Sequence, residues 1–159
     1  MITSARNILI FVLLALAFFS CDDSKVYDSN IELKENQWQV ADTLRYDFSV
    51  LNSTQLHNFY YKIRYSTAYP YYNMYVKYYL LDSASRLLES KQSNMNLFDA
   101  KSGKPLGSGM GDFYDEQILF LPNKKLPYNG KYSLKAIHYM RDEPLKGINA
   151  FGLKVEKVK

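Results

Sequence analysis

The sequence predicts an all-β protein, built as a single antiparallel β-sandwich or jelly-roll-like domain of about eight strands. Three observations predict this class. The chain has 159 residues, a length that suits one domain. It contains 15 Tyr and 9 Phe, residue types that favour strands over helices. Apolar residues also alternate with polar ones in several segments, and turn-forming residues separate those segments.

Five segments alternate over a length that fits a half-buried strand: residues 44–50, 59–65, 74–80, 132–140 and 151–155. In the first of them, Leu44, Tyr46, Phe48 and Val50 share one face. Shorter strands are expected at residues 86–91, 95–98 and 118–121. Turns are expected at Asn52-Ser53, Asp82-Ser83, Pro122-Asn123 and Asn129-Gly130. Trp38 is expected to close one end of the core.

The first twenty residues have the composition of a secretory signal. Arg6 is their one charged side chain, and an apolar run of twelve residues follows at 8–19. Such a run is about 18 Å long as a helix, which is too short for a stable membrane span. A basic start, a short apolar centre and a small residue before the cleavage point are typical of a cleaved signal peptide.

The only cysteine, Cys21, stands directly after this segment. Phe18-Phe19-Ser20-Cys21 resembles a bacterial lipobox, in which the cysteine thiol is acylated before the signal is removed. The resemblance implies that residues 1–20 are a lipoprotein signal peptide and that Cys21 carries the lipid. Residues 21–30 are then expected to form a polar tether, and residues 31–159 the sandwich. Several acyl chains would anchor the domain to a membrane without spanning it.

Composition excludes several classes of function. One Cys and two His leave no ligand set for a cysteine-based zinc site or a multi-histidine metal centre. The formal net charge is +4, but the lysines are scattered and form no basic stripe, so we expect no nucleic-acid partner. The sequence predicts no metal and no cofactor.

No pattern in the chain indicates catalysis. His57 and His138 are the only histidines, and no Gly-x-Ser-x-Gly motif is present. His138 falls on the apolar face of a predicted strand, where a packed histidine is expected. The glycine-rich stretch at residues 101–112 is followed by neither Lys-Ser/Thr nor a helix, so it fits neither a P-loop nor a dinucleotide-binding turn. We therefore predict that the protein is not an enzyme.

The densest aromatic segment is the most promising binding region. Candidate partner-binding residues in and around it are Arg64, Tyr69, Tyr71, Tyr72 and Asn73, with Arg141 as an addition from later in the chain. Tyrosine offers a large apolar area with a polar tip, which suits protein interfaces and also stacking on sugars. The alternative is that these rings fill the sandwich core and its rim.

Several separated features stand in the order found in one bacterial family, the gliding-motility lipoprotein H (GldH) family. They are Cys21, Trp38, residues 64–75 with Tyr69-Pro70-Tyr71 and Asn73, Gly103, Leu106-Gly107-Ser108-Gly109, Gly130-Lys131-Tyr132, Met140-Arg141 and residues 147–153. The resemblance covers nearly all of the chain after the signal.

The resemblance implies an envelope lipoprotein of Bacteroidota, held on a membrane by its lipid, with the outer membrane as the expected location. It implies a role in gliding motility and the associated type 9 secretion, with envelope proteins of that apparatus as partners. The family supplies no catalytic residues. A carbohydrate- or cell-wall-binding sandwich is the alternative that the tyrosines leave open.

Overall fold

The computed structural model describes residues 24–158. The predicted signal peptide and Cys21 lie outside the described residues. Eleven strands form, joined by turns and one short 3-10 helix at Lys34–Asn36. They are β1 Lys25–Glu32, β2 Gln37–Trp38, β3 Leu44–Val50, β4 Leu56–Ser66, β5 Asn73–Asp82, β6 Leu87–Asn96, β7 Ser108–Met110, β8 Phe113–Lys125, β9 Gly130–His138, β10 Leu145–Lys146 and β11 Ile148–Lys157.

The strands form two main antiparallel sheets and one small one. The first sheet has five strands in the order β1-β11-β4-β8-β7. The second has four, in the order β3-β9-β5-β6. β10 and β2 pair separately as a two-stranded ladder. The predicted all-β class is confirmed, with a β-sandwich as the architecture.

The core lies between the two main sheets, and aromatic side chains fill much of it. Strand β3 alternates buried and exposed residues over its whole length, as the sequence predicts. The Tyr46 hydroxyl on β3 donates a hydrogen bond of 2.7 Å to the Phe151 carbonyl on the opposite sheet. Elsewhere the ring centres of Tyr78 and Phe120 lie 5.0 Å apart across the sheets. Tyr46 therefore fills the core with its ring and also pairs a backbone carbonyl of the opposite sheet through its hydroxyl.

The strand count of about eight was too low. Three of the eleven strands, β2, β7 and β10, are only two or three residues long, which is too short for alternation to reveal them. Residues 87–91 and 95–96 of the two segments predicted as separate strands at 86–91 and 95–98 belong to the single strand β6, which ends at Asn96.

The predicted tether is also shorter than expected, because β1 begins at Lys25. Its sequence looked polar because β1 is an edge strand, and its partly buried residues are interrupted by exposed polar ones. Backbone pairing with β11 from Lys25 to Glu32 holds it in place. The folded domain therefore starts six residues before the predicted boundary at residue 31.

The start of β1 marks one end of the sandwich, which we call the near end. Lys25 there lies opposite Glu156, close to the finish of β11. The ring of Tyr27 lies 5.8 Å from that of Phe48 on β3, so β3 finishes at this end as well. The chain therefore comes into the fold from its predicted lipid-bearing segment at the near end.

The opposite end, the far end, is where β5 starts at Asn73. Strand β9 finishes here, since its last residue, His138, lies opposite Val76 of β5. Trp38 closes the core at the far end: its side chain is fully buried, and its ring lies 4.7 Å from that of Phe151. The expectation for Trp38 is confirmed. Within residues 24–158, no helix is long and apolar enough to cross a membrane.

Candidate partner-binding cleft

A cleft of about 310 Å³ opens at the far end. Its walls come from the β4–β5 loop, the first residues of β5 and the segment that follows β9. The lining residues are Tyr71, Asn73, Tyr75, Tyr139, Met140 and Arg141. Three of them, Tyr71, Asn73 and Arg141, are candidate residues predicted from the sequence.

The pairing of β9 with β5 places the two sides of the cleft together. Beyond the last residue of β9, the Tyr139 amide donates a hydrogen bond of 2.7 Å to the Tyr75 carbonyl. The Tyr75 amide in turn points at the Met140 sulfur, 3.3 Å away. These contacts hold the Met140-Arg141 segment beside β5, although it lies outside any strand.

The Tyr71 hydroxyl is hydrogen-bonded to Asp142, the residue that follows Arg141. Its hydrogen bond to the Asp142 carboxylate raises the pKa of the Tyr71 hydroxyl, with desolvation acting in the same direction. The Arg141 guanidinium acts against this increase. Tyr71 therefore presents a neutral ring with an oriented hydroxyl, next to the positive charge of Arg141.

Tyr69 does not line the cleft, because it belongs to the core. Its side chain is only 4 % exposed, and its hydroxyl donates a hydrogen bond of 2.8 Å to the Asn73 carbonyl. Its ring meets that of Tyr71 edge-on at 5.9 Å. A side chain at Gly147 would lie 2.4 Å from the Tyr69 amide nitrogen, so only glycine fits there. Tyr69 thus supports the cleft from behind.

Tyr72 and Arg64 lie outside the cleft. Tyr72 is 52 % exposed, but it is not among the lining residues, and its carbonyl accepts hydrogen bonds from the amides of Leu97 and Phe98. Arg64 is exposed on β4, in the other sheet, with its guanidinium 5.8 Å from the centre of the Phe113 ring. The structure thus separates Arg64 from the tyrosines.

Tyr75, Tyr139 and Met140 are the lining residues that the sequence analysis did not name as candidates. Tyr139 follows buried His138, so alternation along β9 already indicates that Tyr139 faces outward. Lys77 extends the surface beyond the cleft, because its ammonium lies 5.3 Å from the ring centre of Tyr79 and 5.8 Å from that of Tyr139. The cleft therefore continues onto an outer face that carries aromatic rings and positive charge.

The chemistry of the lining suits binding. The six lining residues offer three phenol rings, one guanidinium, one amide and one thioether. None of these groups is an ordinary nucleophile or general base at neutral pH. Among residues 24–158, no group of three or more His, Cys, Asp or Glu side chains is placed to hold a metal ion.

The two histidines lie far from each other and both are buried. His57 is the second residue of β4, at the near end, and His138 is the last residue of β9, at the far end. Each side chain is 1 % exposed. Burial lowers the pKa of both imidazoles. The positive charge of Lys157 adds to this effect at His57, whereas the Glu143 carboxylate, 4.0 Å from His138 Nε2, opposes it.

We expect the free energy of unfolding to decrease as the pH falls below about 6.5, the pKa of an exposed histidine. In that range the unfolded chain binds protons that the folded chain does not, at up to about 1.4 kcal/mol per pH unit for each histidine. Urea unfolding between about pH 7.5 and about pH 5 measures the slope. The double variant His57→Gln, His138→Gln should have a shallower slope; an unchanged slope would contradict the assignment.

Comparison with known proteins agrees with the resemblance. A family model described as "GldH lipoprotein" matches residues 25–155. The gliding motility lipoprotein GldH homolog of Christiangramia forsetii is 27% identical, over 97% of this chain and 97% of that protein. Gliding motility lipoprotein GldH of Flavobacterium johnsoniae is 24% identical, over 96% of this chain and 97% of that protein. Neither name gives an enzymatic activity.

Among solved structures, the likeness is distant. A chain in the structure of the infectious bursal disease virus Gx strain is matched with a TM-score of 0.43 and 10% identity, over 87% of this chain and 34% of that chain. This match supports no inference about function. The family match spans nearly all of the residues that the structure describes, from the start of β1 to Val155, two residues before the end of β11. The chain belongs to the GldH lipoprotein family.

Proposed function

We propose that this protein is an outer-membrane lipoprotein acylated at Cys21, that residues 1–20 are its signal peptide, and that it acts without catalysis. Its far-end cleft binds a protein of the gliding and type 9 secretion apparatus. The family and its relatives' names support a membrane-anchored envelope lipoprotein with a role in gliding. The site itself is proposed from the structure of this chain.

The observation that carries the proposal is the position and composition of the cleft. It lies at the far end, whereas the chain comes into the fold from Cys21 at the near end. Tyrosine and arginine are, with tryptophan, the residue types enriched among the side chains that dominate binding energy at protein interfaces. Here three Tyr and one Arg share one concave surface. That surface faces away from the anchor, where a partner has access.

The test is crosslinking and recovery of partners from native membranes. We expect the double variant Tyr71→Ala, Arg141→Ala to lose its partners, because truncating one dominant interface residue costs about 2 kcal/mol or more, a roughly thirtyfold loss of affinity. Tyr72→Ala is the matched control, since Tyr72 is exposed in the same loop but does not line the cleft.

The result requires that all variants fold and are lipidated to the same extent as the wild type. Partners that remain bound to the double variant would remove the cleft from the proposal. Equal loss with Tyr72→Ala would show that the loop as a whole, rather than the cleft, makes the contact.

A glycan ligand is the second candidate, and two tyrosine rings with a lysine between them, beside the cleft, favour it. Tyr79, Lys77 and Tyr139 follow one another across the outer face of the four-stranded sheet. Tyrosine rings stack on sugar rings, and lysine would pair with acidic substituents. Recovery of peptidoglycan or polysaccharide fragments in place of protein, with loss in the double variant Tyr79→Ala, Tyr139→Ala, would establish this candidate.

A further inference from the structure

Both ends of the described chain, residues 24 and 158, lie at the near end of the sandwich. The Lys157 amide donates a hydrogen bond of 2.8 Å to the Ser24 carbonyl, and the Val158 amide donates one of 2.9 Å to the Leu56 carbonyl. Residue 24 is therefore fixed against the end of β11, and the residue after β11 is in turn bonded to the start of β4. The position where the chain leaves for Cys21 is well defined.

Three connections between strands meet at this same end. The Ser53 amide in the β3–β4 loop donates a hydrogen bond of 2.7 Å to the Asn129 side chain in the β8–β9 turn. The Ser83 amide in the β5–β6 turn donates one of 3.3 Å to the Tyr128 hydroxyl. The connections therefore form one continuous surface.

Exposed leucines project from this surface. Leu51 is 87 % exposed at the start of the β3–β4 loop, Leu87 is 57 % exposed after the β5–β6 turn, and Leu56 is 39 % exposed at the start of β4. An isolated exposed leucine is ordinary. Three of them at the end of the sandwich from which the chain leaves toward a lipid anchor suit a surface that meets a membrane.

Lysines surround the leucines. Those at the near end that take part in none of the ion pairs found among residues 24–158 are Lys25, Lys125, Lys131 and Lys157. The acids of this end are already paired, Asp82 with Arg86, Glu89 with Lys124 and Glu156 with Lys154.

The far end has no such excess of positive charge. Its exposed or partly exposed acids include Glu35, Asp42, Asp99, Asp112, Asp142 and Glu143, and its exposed bases include Lys34, Lys101, Lys104, Arg141 and Lys146. The charge of the folded domain is therefore polarised toward the near end, so an anionic surface would attract that end first.

The distance to the anchor limits where the near end can lie. Only Asp22 and Asp23 separate Cys21 from Ser24. Three residue steps reach about 11 Å at full extension. That reach is comparable with the screening length of about 8 Å at physiological salt, so charges at the near end feel the surface potential of the bilayer. The two aspartates subtract from the lysine charge without cancelling it.

We propose that the near end is a membrane-docking surface for anionic lipid headgroups. Leu51, Leu56 and Leu87 enter the headgroup region, while the four lysines contact lipid phosphates. Docking holds the sandwich upright on its short tether and turns the far-end cleft away from the bilayer. The proposal rests on the acylation of Cys21 in the proposed function, but not on what the cleft binds.

The test uses full-length lipidated protein in phosphatidylglycerol-containing vesicles. Cys21 is the only cysteine and is blocked by acylation, so a cysteine introduced at Leu51→Cys is the sole labelling site. A fluorophore there should be quenched by nitroxide-labelled lipid. Val40→Cys is the matched control, because Val40 is also an exposed aliphatic residue, 46 % exposed, and its amide bonds Glu143 at the far end.

We expect strong quenching at position 51 and little at position 40. Neutralising Lys125, Lys131 and Lys157 to Gln should shift the balance toward the undocked state by about fivefold for each lysine. Equal quenching at both positions, or none at either, would overturn the proposal. Quenching at position 51 that is unchanged by the lysine substitutions and in uncharged phosphatidylcholine vesicles would overturn the anionic-lipid assignment.

Two further readouts keep the outcomes separate. Intact-mass measurement shows whether Cys21 is acylated, so a failure of anchoring is recognised before the vesicle result is read. The partner recovery described above tests the cleft independently. A near end that contacts an integral membrane protein would show quenching in native membranes only, and this result would count against direct lipid docking.

Discussion

Replacing Trp38 by alanine should destabilise the protein by about 3–5 kcal/mol, the usual cost of truncating a fully buried tryptophan. The side chain is 0 % exposed, and its ring lies 4.7 Å from that of Phe151 and 5.5 Å from that of His138. Its indole nitrogen also donates a hydrogen bond of 2.9 Å to the Asp42 carbonyl. The loss is a large part of the 5–15 kcal/mol that typically separates folded from unfolded chains.

The damage should concentrate at the far end. Trp38 belongs to the two-residue strand β2, which among the strands of residues 24–158 pairs with β10 alone. The indole ring also packs on His138, directly before the Tyr139-Met140-Arg141 wall of the cleft. We therefore expect the cleft to lose its shape before the near end unfolds.

Urea unfolding followed by far-ultraviolet circular dichroism measures this effect, since Trp38 is the only tryptophan and its fluorescence is lost in the variant. Trp38→Phe should cost less, because a ring remains although the Asp42 hydrogen bond is lost. Val40→Ala is the control for an exposed neighbour and should change stability by less than about 0.5 kcal/mol. A Trp38→Ala value close to that of Val40→Ala would show that the tryptophan does not close the core.

The fold could be predicted where local alternation carries the information. Strand β3 begins and ends at the predicted residues, 44 and 50, because its faces alternate without interruption. Strand β1 could not be predicted in this way. It is an edge strand in which no residue is fully buried, and polar residues flank Ile31 on both sides, so its sequence shows no clear apolar face. The two-residue strands β2 and β10 exist only through their pairing, which joins positions more than 100 residues apart.

The cleft shows the same division between local and non-local information. Tyr71 and Asn73 stand in one dense aromatic segment and were identifiable from it. Tyr139 joins them through the pairing of β9 with β5, which no local pattern reports. Arg64 was grouped with the tyrosines because it is near them in sequence, but alternation does not say which sheet a strand joins. Strand β4 belongs to the other sheet, and this separates the two.

Replacing Cys21 by serine should abolish acylation, the largest effect that we expect from any single substitution. Each buried methylene contributes about 0.8 kcal/mol to membrane attachment, so loss of all acyl chains removes the anchor entirely. Serine keeps the size of the side chain but supplies no thiol. In a lipobox the thiol is modified before the signal is removed, so the variant should also accumulate as a precursor that retains residues 1–20.

Labelling with an alkyne fatty acid, followed by intact-mass measurement, checks both parts of this prediction. A matched control moves the thiol by three residues, with Ser24→Cys in the Cys21→Ser background. That variant should remain unlabelled, because the proposed acylation position is the one directly after Ser20. Label on the Cys21→Ser protein would refute the assignment of the anchor. Label on the control would show that acylation does not require the thiol to be at position 21. The near-end docking surface also depends on this result, because only an anchor about 11 Å away keeps the four lysines within reach of the bilayer.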